Sequence, residues 1–142
     1  MLNSVGKKTF KFAEKLGLAS EPTESPIQSD FKLGSYVGTW YQMGVNQLAD
    51  SQQGGQCNRA IYTNNGDLTV HVLNTQQALN PDGSFLPRAS IEGTARPRTD
   101  DPTVAKLEVK LGSQPFLAPY DVLDTDYKSY AFVHSGAKVL GN

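Results

Sequence analysis

Ser35-Tyr36-Val37-Gly38-Thr39-Trp40-Tyr41-Gln42-Met43 holds the only tryptophan of the chain and opens its β-rich part. Side chains alternate along a strand with period 2, so Gly38 and Trp40 share one face. Gly38 has no side chain and is expected to permit close backbone approach. A glycine and an indole on one face suit a strand that starts at the bottom of a β-barrel and plugs it. Far downstream, Thr125-Asp126-Tyr127 precedes a second strand-like stretch, Tyr130-Ala131-Phe132-Val133.

Between these two stretches the chain reads as short strands parted by turns. A strand is predicted over 37–45, followed by a polar, glycine-containing loop over 46–56 with Leu48 as its main apolar residue. Residues 58–63 and 67–74 flank Asn64-Asn65-Gly66, and Asn-Gly supplies the positive φ angles of a tight hairpin turn. Leu68, Val70 and Val72 alternate with Thr69, His71 and Leu73, and the first set is predicted to face inward. A turn at Asn80-Pro81-Asp82-Gly83 leads to a strand over 89–96, which the segment Arg96 to Pro102 breaks. Ala105, Leu107, Val109 and Leu111 then alternate with Lys106, Glu108 and Lys110. One face is apolar and the other charged, as in an antiparallel strand that is wet on one side. Gly112-Ser113-Gln114-Pro115 and Pro119 frame a turn before strands over 120–123 and 129–135. Seven short strands with turns between neighbours argue for an up-and-down meander, which hides its edges best by closing into a barrel. The predicted fold class is all-β, an up-and-down antiparallel β-barrel with a short N-terminal helix.

That helix is read over residues 4–16, with Asn3 or Ser4 capping its start and Gly17 its end. Val5, Thr9, Phe12 and Leu16 fall on one face, and Lys8, Lys11 and Lys15 on another. Two readings stay open: a basic amphipathic helix making peripheral contact with a membrane surface, or a plain surface helix or tail. Pro22 and Pro26, among Ser, Thr, Glu and Asp, mark a linker over 19–30. The chain thus divides into a helix or tail over 1–18, a linker over 19–30 and a barrel over 31–142. A length of 142 residues suits one domain. A net charge of −1 gives no reason to expect nucleic acid as a partner. No apolar run approaches the ~20 residues of a membrane-spanning helix, and the N-terminus lacks the apolar core of a secretory signal. Cys57 is the single cysteine, so no intramolecular disulfide forms within this chain. No Asn-x-Ser/Thr glycosylation acceptor occurs.

Gly38-Thr39-Trp40, with Phe31-Lys32-Leu33 before it, resembles the Gly-x-Trp signature of the lipocalins. Thr125-Asp126-Tyr127 resembles their Thr-Asp-Tyr signature. In this order, with hairpins between, the two form a specific combination over about residues 27–135. They look most like the branch of apolipoprotein D and the bacterial outer-membrane lipocalins. The resemblance implies an eight-stranded barrel that holds one small ligand, with no cofactor. Its floor would be built from Gly38, Trp40, Thr125, Asp126 and Tyr127, and the loop after the first strand would fold over its mouth. It also implies a secreted or extracellular protein, whereas a lone thiol suits a reducing compartment; both stay open. It further implies an Arg on the last strand, stacked over Trp40 by a cation–π contact, and a helix outside the barrel. Residues 137–142 supply neither. The eighth strand is therefore expected to be short or missing, and the unpaired edges to draw copies into a homodimer.

The predicted inner faces carry Ala60, Val70, Val72, Ile91, Val109 and Val133, all modest in size, with the larger Tyr62, Leu111 and Tyr120. An apolar lining with a few hydroxyls is the expected pocket for a lipid, fatty acid, retinoid or pigment; a solid core is the alternative. No catalytic constellation is read. His71 and His134 fall on outward faces, and Asp100-Asp101, beside Arg98 and Pro102, is a solvated turn. No metal site is expected. Cys57 keeps one enzyme reading open. Lipocalin-type prostaglandin D synthase carries a nucleophilic cysteine near the start of its second strand, and Arg59 would share a face with Cys57 and favour its thiolate. In the apolipoprotein D branch the cysteine in this setting is a disulfide partner instead. The readings are therefore a carrier of a small apolar molecule, a thiol-dependent isomerase, or a docking module without ligand.

Overall fold

The computed structural model describes residues 26–45 and 55–135. The helix read over 4–16, most of the loop over 46–56 and the segment 137–142 lie outside them. One helical turn, α1 (Leu33–Tyr36), precedes seven strands: β1 (Gly38–Tyr41), β2 (Gln56–Asn64), β3 (Val70–Gln77), β4 (Ala89–Pro97), β5 (Lys106–Leu111), β6 (Ala118–Thr125) and β7 (Ala131–His134). Each strand pairs antiparallel with the next, in the order β1 to β7. The sheet is a meander curled into a half-barrel.

Period-2 alternation sets the inner face. Tyr62 on β2 stands opposite Gly38 and Val72, and Val70 on β3 stands opposite Ala95. Ala95 in turn faces Val109, and Leu107 faces Tyr120. These inward residues join Trp40, Ala60, Val122 and Val133 in one buried core. β5 keeps the alternation read from its sequence: Leu107 and Val109 are buried, while Lys106, Glu108 and Lys110 are not.

Several expectations are corrected. The first strand ends at Tyr41, not Val45. On its partner β2, the register against β3 shifts between Gln56 and Arg59, and Cys57 sits at φ 51° where a longer β1 would pair. The bond from Gln42 N–H to Asn58 C=O, at 2.9 Å, carries the pairing one residue further. The Asn-Gly hairpin is not a two-residue turn. Asp67 accepts hydrogen bonds from the Thr69 N–H at 3.0 Å and the Thr69 hydroxyl at 2.5 Å. Asn65 N–H reaches Thr69 C=O at 3.0 Å and closes a longer loop. Leu68, expected inside, is caught in that loop at φ 66° and is 60% exposed. Pro119, expected in a turn, lies inside β6, which runs from Ala118 to Thr125. The glycine at position 38 is explained by its φ of 122°, not by close approach, for a Cβ there would meet no atom within 4 Å.

Residues 26–30, read above as linker, are tied to the barrel. Gln28 N–H bonds Val122 C=O at 3.0 Å, and the Gln28 side-chain oxygen accepts Thr125 N–H at 3.0 Å. Phe31 N–H then bonds Thr103 C=O at 2.8 Å. This strap crosses the end where β4–β5 and β6–β7 connect, and it delivers α1 to that end.

Candidate functional site

The floor is aromatic. Trp40 stacks on Tyr36 with ring centroids 5.2 Å apart, and its indole N–H donates to Tyr36 C=O at 2.8 Å. Tyr36 stacks in turn on Tyr62 at 5.6 Å and tilts against Phe31 at 5.4 Å. The Tyr120 hydroxyl sits between two others, 2.9 Å from that of Tyr36 and 2.8 Å from that of Tyr62. Three hydroxyl hydrogens serve these two bonds, so one O–H finds no acceptor within the triad. Burial pushes all three phenols well above the usual tyrosine range. They are therefore neutral across the ordinary pH range.

Thr125 ends β6, Asp126 and Tyr127 follow it in the β6–β7 connection, and together they fasten the floor. The Thr125 hydroxyl donates to Tyr130 C=O at 2.7 Å and accepts from Tyr127 N–H at 2.9 Å. Asp126 accepts from the backbone N–H groups of Lys128, Ser129 and Tyr130 and from the Ser129 hydroxyl. That hydroxyl and those amides hold its carboxyl well below the usual carboxylate range. Tyr127, at φ 65°, stacks on Phe31 with centroids 6.1 Å apart.

Above the floor the wall is apolar and neutral. Among the described residues, the buried polar side chains are Asn58, Thr75 and Thr125, and none that is buried carries a charge. The residues read as ligand-lining fall into two groups. Ala60, Tyr62, Val70, Val72, Val109, Tyr120 and Val133 are buried in the lower core. Ala60, Val72 and Val133 have almost no accessible surface, so no water-sized space adjoins them. Leu111 is only partly buried, and Ile91 is 38% exposed although its register places it opposite inward-facing Asn74. Leu111 stands opposite Gly93, whose missing side chain lets the two strands meet. The open part of the concave face is therefore the mouth-side section around Asn74, Ile91, Gly93, Leu111 and Ala118.

Sequence reasoning missed Asn58 and Asn74. Both fall on the inner face: Asn58 is two residues from Ala60 on β2, and Asn74 stands opposite Ala60 on β3. The buried side-chain oxygen of each has no hydrogen-bond partner. Their spacing from Ala60 was readable, but a polar residue in an apolar pattern was absorbed into the strand. The mouth loops expose Leu79, Phe85, Leu86, Phe116 and Leu117, with Met43 after β1. A separate open depression of about 440 Å³ lies on the outer face, lined by Thr94, Arg96, Lys110, Pro115, Phe116 and Leu117. Arg96 there is engaged by Glu108 at 2.6 Å.

The other reactive candidates are peripheral. His71 faces outward and meets Glu92 at 3.3 Å, and His134 is exposed. Among the described residues no group of His, Cys, Asp and Glu is placed to hold a metal ion. Cys57 is exposed, and its backbone carbonyl accepts Arg88 Nη1 at 3.2 Å. Arg59, expected to favour its thiolate, donates through Nε to the Thr75 hydroxyl at 3.1 Å.

A Lipocalin-like domain model matches residues 31–138, which hold all seven described strands. The chain belongs to the lipocalin family. It is 36% identical over 110 residues to apolipoprotein D of Rattus norvegicus, covering 78% of this chain and 54% of the relative. To apolipoprotein D of Cavia porcellus it is 37% identical over 115 residues, covering 81% and 57%. A plant relative, temperature-induced lipocalin-1 of Arabidopsis thaliana, is 34% identical over 101 residues, covering 69% and 50%. This lipocalin chain thus spans about half the length of the curated relatives it matches.

Proposed function

We propose that this lipocalin binds and carries a small apolar molecule on the mouth-side section of its concave face. The observation that carries this reading is Ile91. A branched aliphatic side chain on an inward-facing register is left 38% exposed, beside partly buried Leu111 and above an aromatic floor. Apolar surface of this kind gains roughly 25 cal/mol for each Å² removed from water. The neutral wall suits the uncharged body of a lipid, retinoid or pigment. The lower core holds the floor rigid, so the ligand docks against a formed surface and loses less entropy on ordering it.

A carrier role is preferred to a thiol-dependent isomerase. Among the described residues no hydrogen bond reaches the exposed Cys57 thiol, so none of them is placed as its base.

Nile red titration tests the reading. Saturable binding by the wild type is expected, with Ile91→Glu weakening it about ten-fold. Ile91 is open to solvent, so this variant folds. Absence of saturable binding, or unchanged binding in Ile91→Glu, refutes the site.

A further inference from the structure

We propose that Asn58, with Asn74 beside it, recognises the ligand's polar group, and that the ligand is a neutral apolar molecule carrying a hydroxyl. This rests on the reading of the concave face given above. Asn58 is only 8% exposed, and its enclosed side-chain oxygen has no partner; the same holds for the Asn74 oxygen. Folded proteins satisfy the great majority of buried polar atoms, because each orphan carries its full desolvation cost. Two orphans, one opposite Ala60 and one two residues from it along β2, are a concentrated cost that an apolar pair would not carry.

Their placement gives the cost a use. Both residues face inward and flank Ala60, the partner of Trp40 across β1–β2. Because β2 runs from mouth to floor, Asn58 lies on the mouth side of Trp40. Both oxygens are enclosed, so the polar end of a ligand seated on the apolar wall would reach these two amides by turning their side chains toward it.

The amides also select the chemistry. No buried charge among the described residues would neutralise a carboxylate, and two carbonyl oxygens repel one. An ether or ester oxygen only accepts. A hydroxyl donates and accepts, so it satisfies an asparagine amide in either orientation of its O and N atoms.

The test compares two isomers, 1-dodecanol and 1-methoxyundecane, as competitors for bound Nile red. They hold the same atoms, and water solvates the alcohol better, so burial alone favours the ether. The wild type is expected to bind the alcohol about ten-fold more tightly, as one satisfied orphan implies. Asn58→Leu should lose that preference, read as the ratio of the two competitors' affinities. Asn58→Ala gives the same comparison should Asn58→Leu not fold. A wild type with no preference for the alcohol overturns the proposal, as does a folded Asn58→Leu or Asn58→Ala protein that keeps the preference. Failure of the wild type to bind Nile red is a different result: it removes the underlying site itself.

Discussion

The Tyr127 hydroxyl accepts a hydrogen bond from the Lys32 backbone N–H at 3.1 Å, across 95 positions of sequence. The bond joins the strap that delivers α1 to the loop that turns β6 into β7. It therefore links the two signature stretches of the chain directly. Tyr127→Phe keeps the stacking on Phe31 and removes only this acceptor. We expect a loss of about 1 kcal/mol, the usual net value of one such bond. Urea denaturation monitored by Trp40 fluorescence measures it, and an unchanged midpoint would show that the strap is held by its other bonds alone.

Acid should loosen the same loop through Asp126. Hydrogen bonds from the Ser129 hydroxyl and three backbone amides depress its carboxyl in the folded state. A carboxyl depressed on folding contributes stability that is present above its unfolded value of about 4. That stability is lost as pH falls from there through the folded value. Asp67, Asp82 and Asp101 are depressed in the same direction, each by the hydroxyl two residues on at Thr69, Ser84 or Thr103. The four effects add in one window, below about pH 4. Asp126→Asn keeps an acceptor but removes the proton linkage. Its urea midpoint should fall less steeply than that of the wild type between pH 4 and pH 2.

Much of this floor was legible in the sequence. The Gly-x-Trp and Thr-Asp-Tyr stretches announce it through residue type and spacing, and the alternation of Leu107 and Val109 with charged neighbours fixed the face of β5. Asp67-Leu68-Thr69 was misread because Leu68 continued an apolar alternation. The Thr69 hydroxyl's competition for Asp67 left no trace in that periodicity. The Cys57 bulge was hidden for a similar reason, since a positive φ at a non-glycine residue has no composition signal. The wall near Ile91 could be assigned to a face but not to a depth, because alternation reports direction and never how much space lies ahead. Asn58 and Asn74 do not stand out in the sequence, as only atomic contacts reveal a missing partner.

Removing the central hydroxyl of the tyrosine triad should cost more than removing either outer one. Tyr120→Phe deletes both bonds and orphans the hydroxyls of Tyr36 and Tyr62 in a buried site. Tyr36→Phe deletes one bond and leaves the Tyr62–Tyr120 pair intact. We expect about 2–3 kcal/mol for the first and about 1 kcal/mol for the second. Equal losses in thermal unfolding would mean that the three hydroxyls do not act as a chain.

Cys57 should respond to substitution in an order opposite to that of an ordinary strand residue. At φ 51° its backbone is left-handed, where a Cβ is strained and a branched one more so. Cys57→Gly should be neutral or stabilising by about 0.5 kcal/mol, and Cys57→Val destabilising by about 1–2 kcal/mol. Normal strand propensity would rank Val above Gly. Urea midpoints for the two variants decide between these orders, and neither change should alter Nile red binding if the thiol has no part in the site.

Gly93 is the position at which the wall tolerates least. It stands opposite Leu111 in the β4–β5 ladder. A Cβ built there would collide with the Lys110 carbonyl oxygen and come within 2.9 Å of Leu111 Cα. Both obstacles are backbone, so no rotamer change relieves them. Gly93→Ala must push β5 away from β4, which breaks ladder bonds and shifts Leu111 on the concave face. We expect a cost of about 3 kcal/mol, at the upper end of overpacking, together with weaker Nile red binding. Gly83, whose Cβ would meet no atom within 4 Å, provides the contrast. Gly83→Ala carries only the strain of its φ of 83°, about 1 kcal/mol, and leaves binding unchanged. If the two variants lose equal stability, close approach at Gly93 is not what keeps that position glycine.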